Sequence, residues 1–182
     1  MKTKYKIGIT IILILGTIII CFLDQFDRNQ FYSMQLPAEE SQIFFIPNNP
    51  KKQELIYSQY FGDEKYNFPR KDFAEVKLYK NNFLISRLSS TTVSDKDERE
   101  LVAFLNNPSN FDFGETTWDT SEAEYILRFF DDQKVEIGKV WLCLEGCGMT
   151  LSIPFSPNMK YGGLSKVGRE NIDTIIKNIL SK

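Results

Sequence analysis

Residues Ile7 to Leu23 read IGITIILILGTIIICFL and carry no charged side chain. A helix rises ~1.5 Å per residue and a bilayer's hydrocarbon layer is ~30 Å thick, so this run lies near the lower limit for a spanning helix. Thr10 and Thr17 are its only polar residues, which leaves no wet face for a soluble amphipathic helix. Lys2, Lys4 and Lys6 precede the run, and Asp24, Asp27 and Arg28 follow it. Positive charge stays on the cytoplasmic side, so the N-terminus is expected inside and the remainder outside. Residues 7–23 are therefore read as an uncleaved anchor in the cell membrane. Two alternatives stay open: a cleaved secretion signal, although no small-residue A-x-A site is present, and lipidation at Cys21, although Ile20 precedes it.

That placement sets the organisation: residues 1–6 as a cytoplasmic N-terminus, 7–23 as the anchor, 24–52 as a membrane-proximal stalk and 53–182 as an ectodomain. Pro37, Pro47 and Pro50 prevent a long helix in the stalk, within which Gln42–Ile46 could form an edge strand. Three of the 22 basic residues precede the anchor, leaving 19 against 24 acidic ones, a net charge of −5. An acidic surplus argues against nucleic acid as a partner, because phosphates demand a basic footprint.

The chain contains no histidine. This excludes Ser-His-Asp and Cys-His catalysis and most zinc and copper sites. No metal and no cofactor is expected. Any catalyst would have to work with carboxylates, Lys, Tyr or Cys.

Periodicity supplies the rest. Residues 55–61 suit a strand or a helix equally. Phe73–Tyr79 alternates as a half-buried strand does, and Phe83–Leu88 returns as a second, which could continue to Val93. Ser94 and Asp97 resemble a capping box opening a helix that runs to about Asn106 and ends before Pro108. Ser109–Ser121 reads as a polar, aromatic loop. Ala123–Phe130 alternates again, Asp131–Lys134 turns, and Val135–Leu144 runs back with a bulge expected at Gly138. Met149–Phe155 is the next strand. In Gly168–Leu180, Ile172, Ile175, Ile176 and Ile179 share one helix face. Short turns between strands imply an antiparallel sheet, and two one-faced helices imply a cover on it. The expected fold is α+β: an N-terminal transmembrane helix, then a two-layer domain with an antiparallel sheet under two helices.

Cys143 and Cys147 sit in WLCLEGCG, between two strands. In an oxidising compartment they could form a disulfide if a three-residue loop places them directly opposite each other. A two-residue loop would send Cys143 to the other face and leave two thiols. The C-x3-C spacing behind an apolar N-terminal segment resembles that of thioredoxin-like copper-delivery proteins and the copper loop of respiratory oxidases. Both patterns also use histidine, which this chain lacks.

Two further stretches invite a site. Gly163 and Gly168 have phosphate-loop spacing, but Arg169-Glu170 stands where Lys and Ser/Thr are required. Lys160, Ser165, Lys166 and Arg169 could still hold a small anion at a helix N-terminus capped by Ser165. The second stretch joins Glu115, Trp118 and Asp119, which suit a partner-binding surface. The leading functional expectation is a membrane-anchored envelope protein whose non-catalytic ectodomain binds another protein. One version is an immunity-type inhibitor covering a basic active site. The alternatives are a cell-envelope glycan hydrolase with Glu115 or Asp119 as its acid, and a structural component of a membrane complex.

Overall fold

The computed structural model describes residues 6–19, 50–81, 90–113 and 123–182. The chain divides into two compact units, Met1–Met34 and Gln35–Lys182. In the first, residues 6–19 form a helix, α1. Its isoleucines and leucines, from Ile7 to Ile19, stand 51–69% exposed around the axis. Among the described residues, no helix is long and apolar enough to cross a membrane. Residues 20–23 of the uncharged run lie outside them, as do the stalk segment up to residue 49 and the expected strand Phe83–Leu88.

The second unit is built on a seven-stranded antiparallel sheet, order β2-β1-β4-β5-β6-β7-β3. Its strands are β1 (Glu75–Lys80), β2 (Ser90–Thr92), β3 (Phe111–Asp112), β4 (Tyr125–Phe130), β5 (Glu136–Cys143), β6 (Met149–Ile153) and β7 (Gly163–Leu164). Among the described residues, the α-helices that accompany it are α2 (Pro50–Ser58), α3 (Asp95–Leu105) and α4 (Lys166–Leu180). The α+β architecture expected from periodicity is present. α2 resolves the ambiguity at residues 55–61 in favour of a helix followed by a turn, and it spans the boundary drawn at 52/53.

α3 and α4 lie on one face of the sheet. Leu101, Phe104 and Leu105 from α3 and Ile172, Ile176 and Ile179 from α4 join Val76, Leu78, Leu127, Phe129, Val140 and Leu142 in one core. Burying such side chains contributes ~1.5–3 kcal/mol each, which is why the spacing of the isoleucines in α4 dictates its seat. Phe68 closes one end of this core, edge-on to Phe129 at 5.0 Å. A smaller cluster centres on Tyr57 and Tyr66, with Tyr60, Phe61, Phe113 and Phe155 packed against it.

Both helix starts follow their sequence signals. Ser165 Oγ accepts from the Gly168 N–H at 3.0 Å, and Ser94 Oγ accepts from the Asp97 N–H at 3.4 Å. The Asp97 carboxylate accepts from the Ser94 hydroxyl at 2.6 Å, one methylene too short to act as Glu does in a capping box. At the other end of α3 stands Asn106, as expected.

Three expectations need correction. First, β4 is not half-buried, and β1 alternates buried with partly buried residues only as far as Leu78. Tyr79 is 8% exposed, Ile126 5% and Arg128 8%, although they point away from the helix layer. Polar and apolar residues here alternate between the helix-covered face and a second face, on which these three side chains are nevertheless buried. Second, the bulge is at Ile137 and not at Gly138. Phe129 pairs with Gly138 and Phe130 with Glu136, so Ile137 is the additional residue. Gly138 serves a different need, since a Cβ there would stand 3.0 Å from the Phe68 ring. Third, the stretch read as loop from Ser109 contains β3, which pairs with β7 through Phe111↔Leu164 and Asp112↔Gly163.

Candidate functional site

β5 and β6 pair as far as Cys143↔Met149, so the connection is the five-residue loop Leu144–Gly148. This corrects the three-residue loop on which the disulfide expectation was built. The cysteines nevertheless meet. Cys147 folds back inside the longer loop, and the pair is disulfide-bonded with a Cα–Cα separation of 5.8 Å. Gly146 at φ +94° and Gly148 at φ +58° permit that reversal, since both lie in the left-handed region. A loop this short loses little entropy on closure, and its bond contributes ~2 kcal/mol.

Glu124 anchors the loop. Its carboxylate accepts from the Leu144 N–H at 2.6 Å and from the Glu145 N–H at 3.0 Å. Its own backbone extends the sheet on both sides: Glu124 N–H donates to Leu142 O at 2.9 Å, and Asn81 N–H donates to Glu124 O at 2.8 Å. On the far side of the loop, the Arg169 guanidinium lies against Gly148, in the space a Cβ would take. The Leu164 N–H donates to Gly148 O at 2.8 Å, tying the loop to β7.

The four residues considered for an anion are dispersed in role. The Lys160 ammonium stands over two rings, 5.7 Å from the Phe61 centroid and 5.2 Å from that of Phe113. Ser165 caps α4 and also donates to Ser109 O at 3.1 Å, while its N–H donates to Asn110 O. Arg169 is directed at Gly148, and Lys166 is exposed. Glu115, Trp118 and Asp119 lie outside the described residues. Among the described residues, no three His, Cys, Asp or Glu side chains gather as a metal would require.

Two features escaped the sequence. One is an open cleft of about 490 Å³ whose lining includes Asn67, Phe68, Arg70, Lys71, Phe73 and Asn106. Its size falls in the range of small-molecule pockets. Several of its polar groups are engaged internally. Arg70 donates to Lys65 O at 2.9 Å and Phe155 O at 2.7 Å, and Asn106 is hydrogen-bonded to the Phe68 backbone.

The other feature is a set of rows across the sheet face opposite α3 and α4. Lys77, Arg128 and Lys139 stand directly opposite one another on β1, β4 and β5. Like charges so placed repel. The next row toward one sheet end is Glu75, Phe130 and Glu136; toward the other it is Tyr79, Ile126 and Trp141. Glu136 lies 3.3 Å from Arg128 and 3.9 Å from Lys139, while Glu75 lies 3.4 Å from Lys77. The aromatic rows complete the compensation: Arg128 lies 4.9 Å from the Tyr79 ring, Lys139 4.9 Å from Trp141 and Lys77 5.4 Å from Phe130. Each cation thus meets a carboxylate and a ring. Only the strand register reveals this, because the three cations are far apart in sequence.

Ionisation follows local geometry. The Lys134 ammonium 2.9 Å from Glu75 holds that carboxyl below its ordinary range, with Lys77 assisting against partial burial. Hydrogen bonds from Lys182 and Ser94 depress Asp97. Burial pushes Glu98 up, against the opposing hydrogen bond from the Val76 N–H at 2.9 Å. A carboxyl held up by burial could act as an acid, but this one accepts a bond that ties α3 to β1, a structural task. Compared with protein-family models, with curated proteins and with solved structures, the chain matches none.

Proposed function

We propose that the chain is a single-pass membrane protein whose α+β domain lies outside the cytoplasm and works there by binding another protein, without catalysis. The observation that carries the membrane placement is α1: its large apolar side chains are 51–69% exposed on every side. In water such a helix leaves hundreds of square ångströms of apolar surface wetted, at ~25 cal/mol per Å². Hydrocarbon removes that cost. The bonded Cys143 and Cys147 agree with an oxidising compartment.

The binding role draws its support from elimination and charge. Histidine is missing from the chain, and the residues beyond the apolar run carry the net −5 derived above. An acidic domain fits a basic protein partner, the immunity-type inhibitor being one version.

Two measurements on the full chain test this reading. Membrane fractions are first washed with carbonate, and intact cells stripped of outer barriers are treated with protease. The chain should stay with the membrane, and its C-terminal domain should be cleaved from outside. Purification in mild detergent should then recover one stoichiometric protein partner. Solubility in carbonate or protection from protease overturns the placement. Recovery of the chain alone, with release of sugar from envelope glycan, overturns the binding role in favour of a hydrolase.

A further inference from the structure

Disulfides exchange by attack of a thiolate on one sulfur, and access decides which sulfur is struck. The two sulfurs of the β5–β6 loop are not equivalent. Cys143 ends the β5 ladder opposite Met149 and is 2% exposed. Cys147 lies beyond the ladder and is half-buried. Their electrostatic surroundings differ too. The residues following Cys143 carry the Glu124 carboxylate on their N–H groups. The residue following Cys147 carries the Arg169 guanidinium against its backbone. An anionic nucleophile is repelled from the first side and attracted to the second.

We propose that Cys147 is a site of S-thiolation by a small monothiol. The incoming thiolate places its electron pair on Cys147 Sγ. The Cys143–Cys147 bond breaks, and its pair departs on Cys143 Sγ, which takes a proton from solvent. One disulfide is consumed and one is formed, so no further oxidant or reductant enters. The adduct sits in the loop that Arg169 joins to α4, so it marks the contact between the hairpin and that helix. This inference requires the oxidised pair and stands apart from the binding role.

The test uses the full chain in detergent with Cys21→Ser, so that only the two loop cysteines report. Titration of free thiols first establishes that the pair is bonded; a chain isolated with both thiols free overturns the proposal. The bonded chain is exposed to reduced glutathione at mildly alkaline pH, quenched in acid and mapped by peptide mass. The expected adduct is on Cys147, in roughly tenfold excess over Cys143, as access dictates. Equal labelling, preference for Cys143, or no adduct at all overturns it. Arg169→Gln should slow adduct formation about threefold or more at low ionic strength, and the difference should shrink as salt screens the charge. An unchanged rate at low ionic strength overturns the role given to Arg169.

Discussion

The Asn106 side chain and the Phe68 backbone, 38 residues apart, exchange two hydrogen bonds of 2.7 Å: the Phe68 N–H donates to Oδ1, and Nδ2 donates to the Phe68 carbonyl. The amide imitates one rung of a β-ladder and holds a segment that belongs to no strand. It also places the Phe68 ring over Gly138 and against Phe129. Asn106→Leu removes both partners and leaves two backbone groups unpaired. It should lower stability by about 3 kcal/mol, read as a fall in the urea midpoint with an unchanged slope. Asn106→Gln, with the same amide on a longer arm, should recover only a part of this loss.

Asp97 and Lys182 should impose an acid limit. Asp97 is buried, and hydrogen bonds from Lys182 and Ser94 hold its carboxyl below the ordinary 3.8. A depressed folded-state value means that the unfolded chain binds the proton first. The contribution is therefore complete above about 3.8 and is lost as pH falls through the lower folded value. Melting temperatures measured from pH 7 to pH 2 should show this loss in the parent chain. They should show less of it in Asp97→Asn and in Lys182→Ala.

Glu98 behaves in the opposite sense. Burial raises its carboxyl above the ordinary 4.5, so the folded state binds the proton more tightly than the unfolded one. Stability is complete below about 4.5 and declines as pH rises through the higher folded value. Glu98→Gln can still accept from the Val76 N–H without a buried charge. It should raise the melting temperature at pH 7, and the gain should vanish near pH 4.

Two glycines should tolerate no side chain. A Cβ at Gly162 would collide with the Thr150 carbonyl, and one at Gly168 with that of Asn110. Gly162 also sits at φ +84°. Each Gly→Ala change should cost about 2 kcal/mol or more, because backbone must move on both sides. Gly146→Ala, with φ +94° but open space around it, should cost about 1 kcal/mol. Chemical denaturation of the three variants checks the order.

Glu136 is the hinge of the cation row. Replacing it by Ala leaves Arg128 and Lys139 buried without their shared carboxylate and should cost about 3 kcal/mol. Adding Lys139→Met should restore part of the loss, because the remaining charge is then less opposed. A double-mutant cycle by urea unfolding gives the coupling directly; additive losses would contradict the shared role.

The legible parts of this fold were those written locally. Ser165 before Ile172, Ile175, Ile176 and Ile179 announces a capped amphipathic helix, and α4 begins one residue after Ser165. Asp131 followed by Lys134 announces a turn, and the Asp131 carboxylate accepts from the N–H groups of Gln133 and Val135. The less legible parts depend on register between distant segments. Phe111 and Leu164 are too brief as strands to leave a periodic trace, yet they complete the sheet. Arg128 among Leu127 and Phe129 reads as a solvent-facing residue, because nothing nearby in sequence shows that Lys77, Lys139, Glu136 and Tyr79 surround it. Spacing alone allows Cys143 and Cys147 either to bridge or to part, and the loop that joins them is longer than either turn it suggests. Residues permitting positive φ at two positions allow several loop lengths, and only the neighbouring strand chooses among them.

The strand order carries a consequence for synthesis on the ribosome. β1 and β2 form one margin of the sheet and β3 lies at the opposite margin, yet all three precede β4, β5, β6 and β7, which fill the space between. Both borders thus emerge while the interior is still untranslated. Neither border can be sealed early, and cooperative assembly has to wait for residues 125–164. A nascent chain arrested before that segment leaves the ribosome should remain sensitive to protease, whereas one arrested after α4 has emerged should resist it.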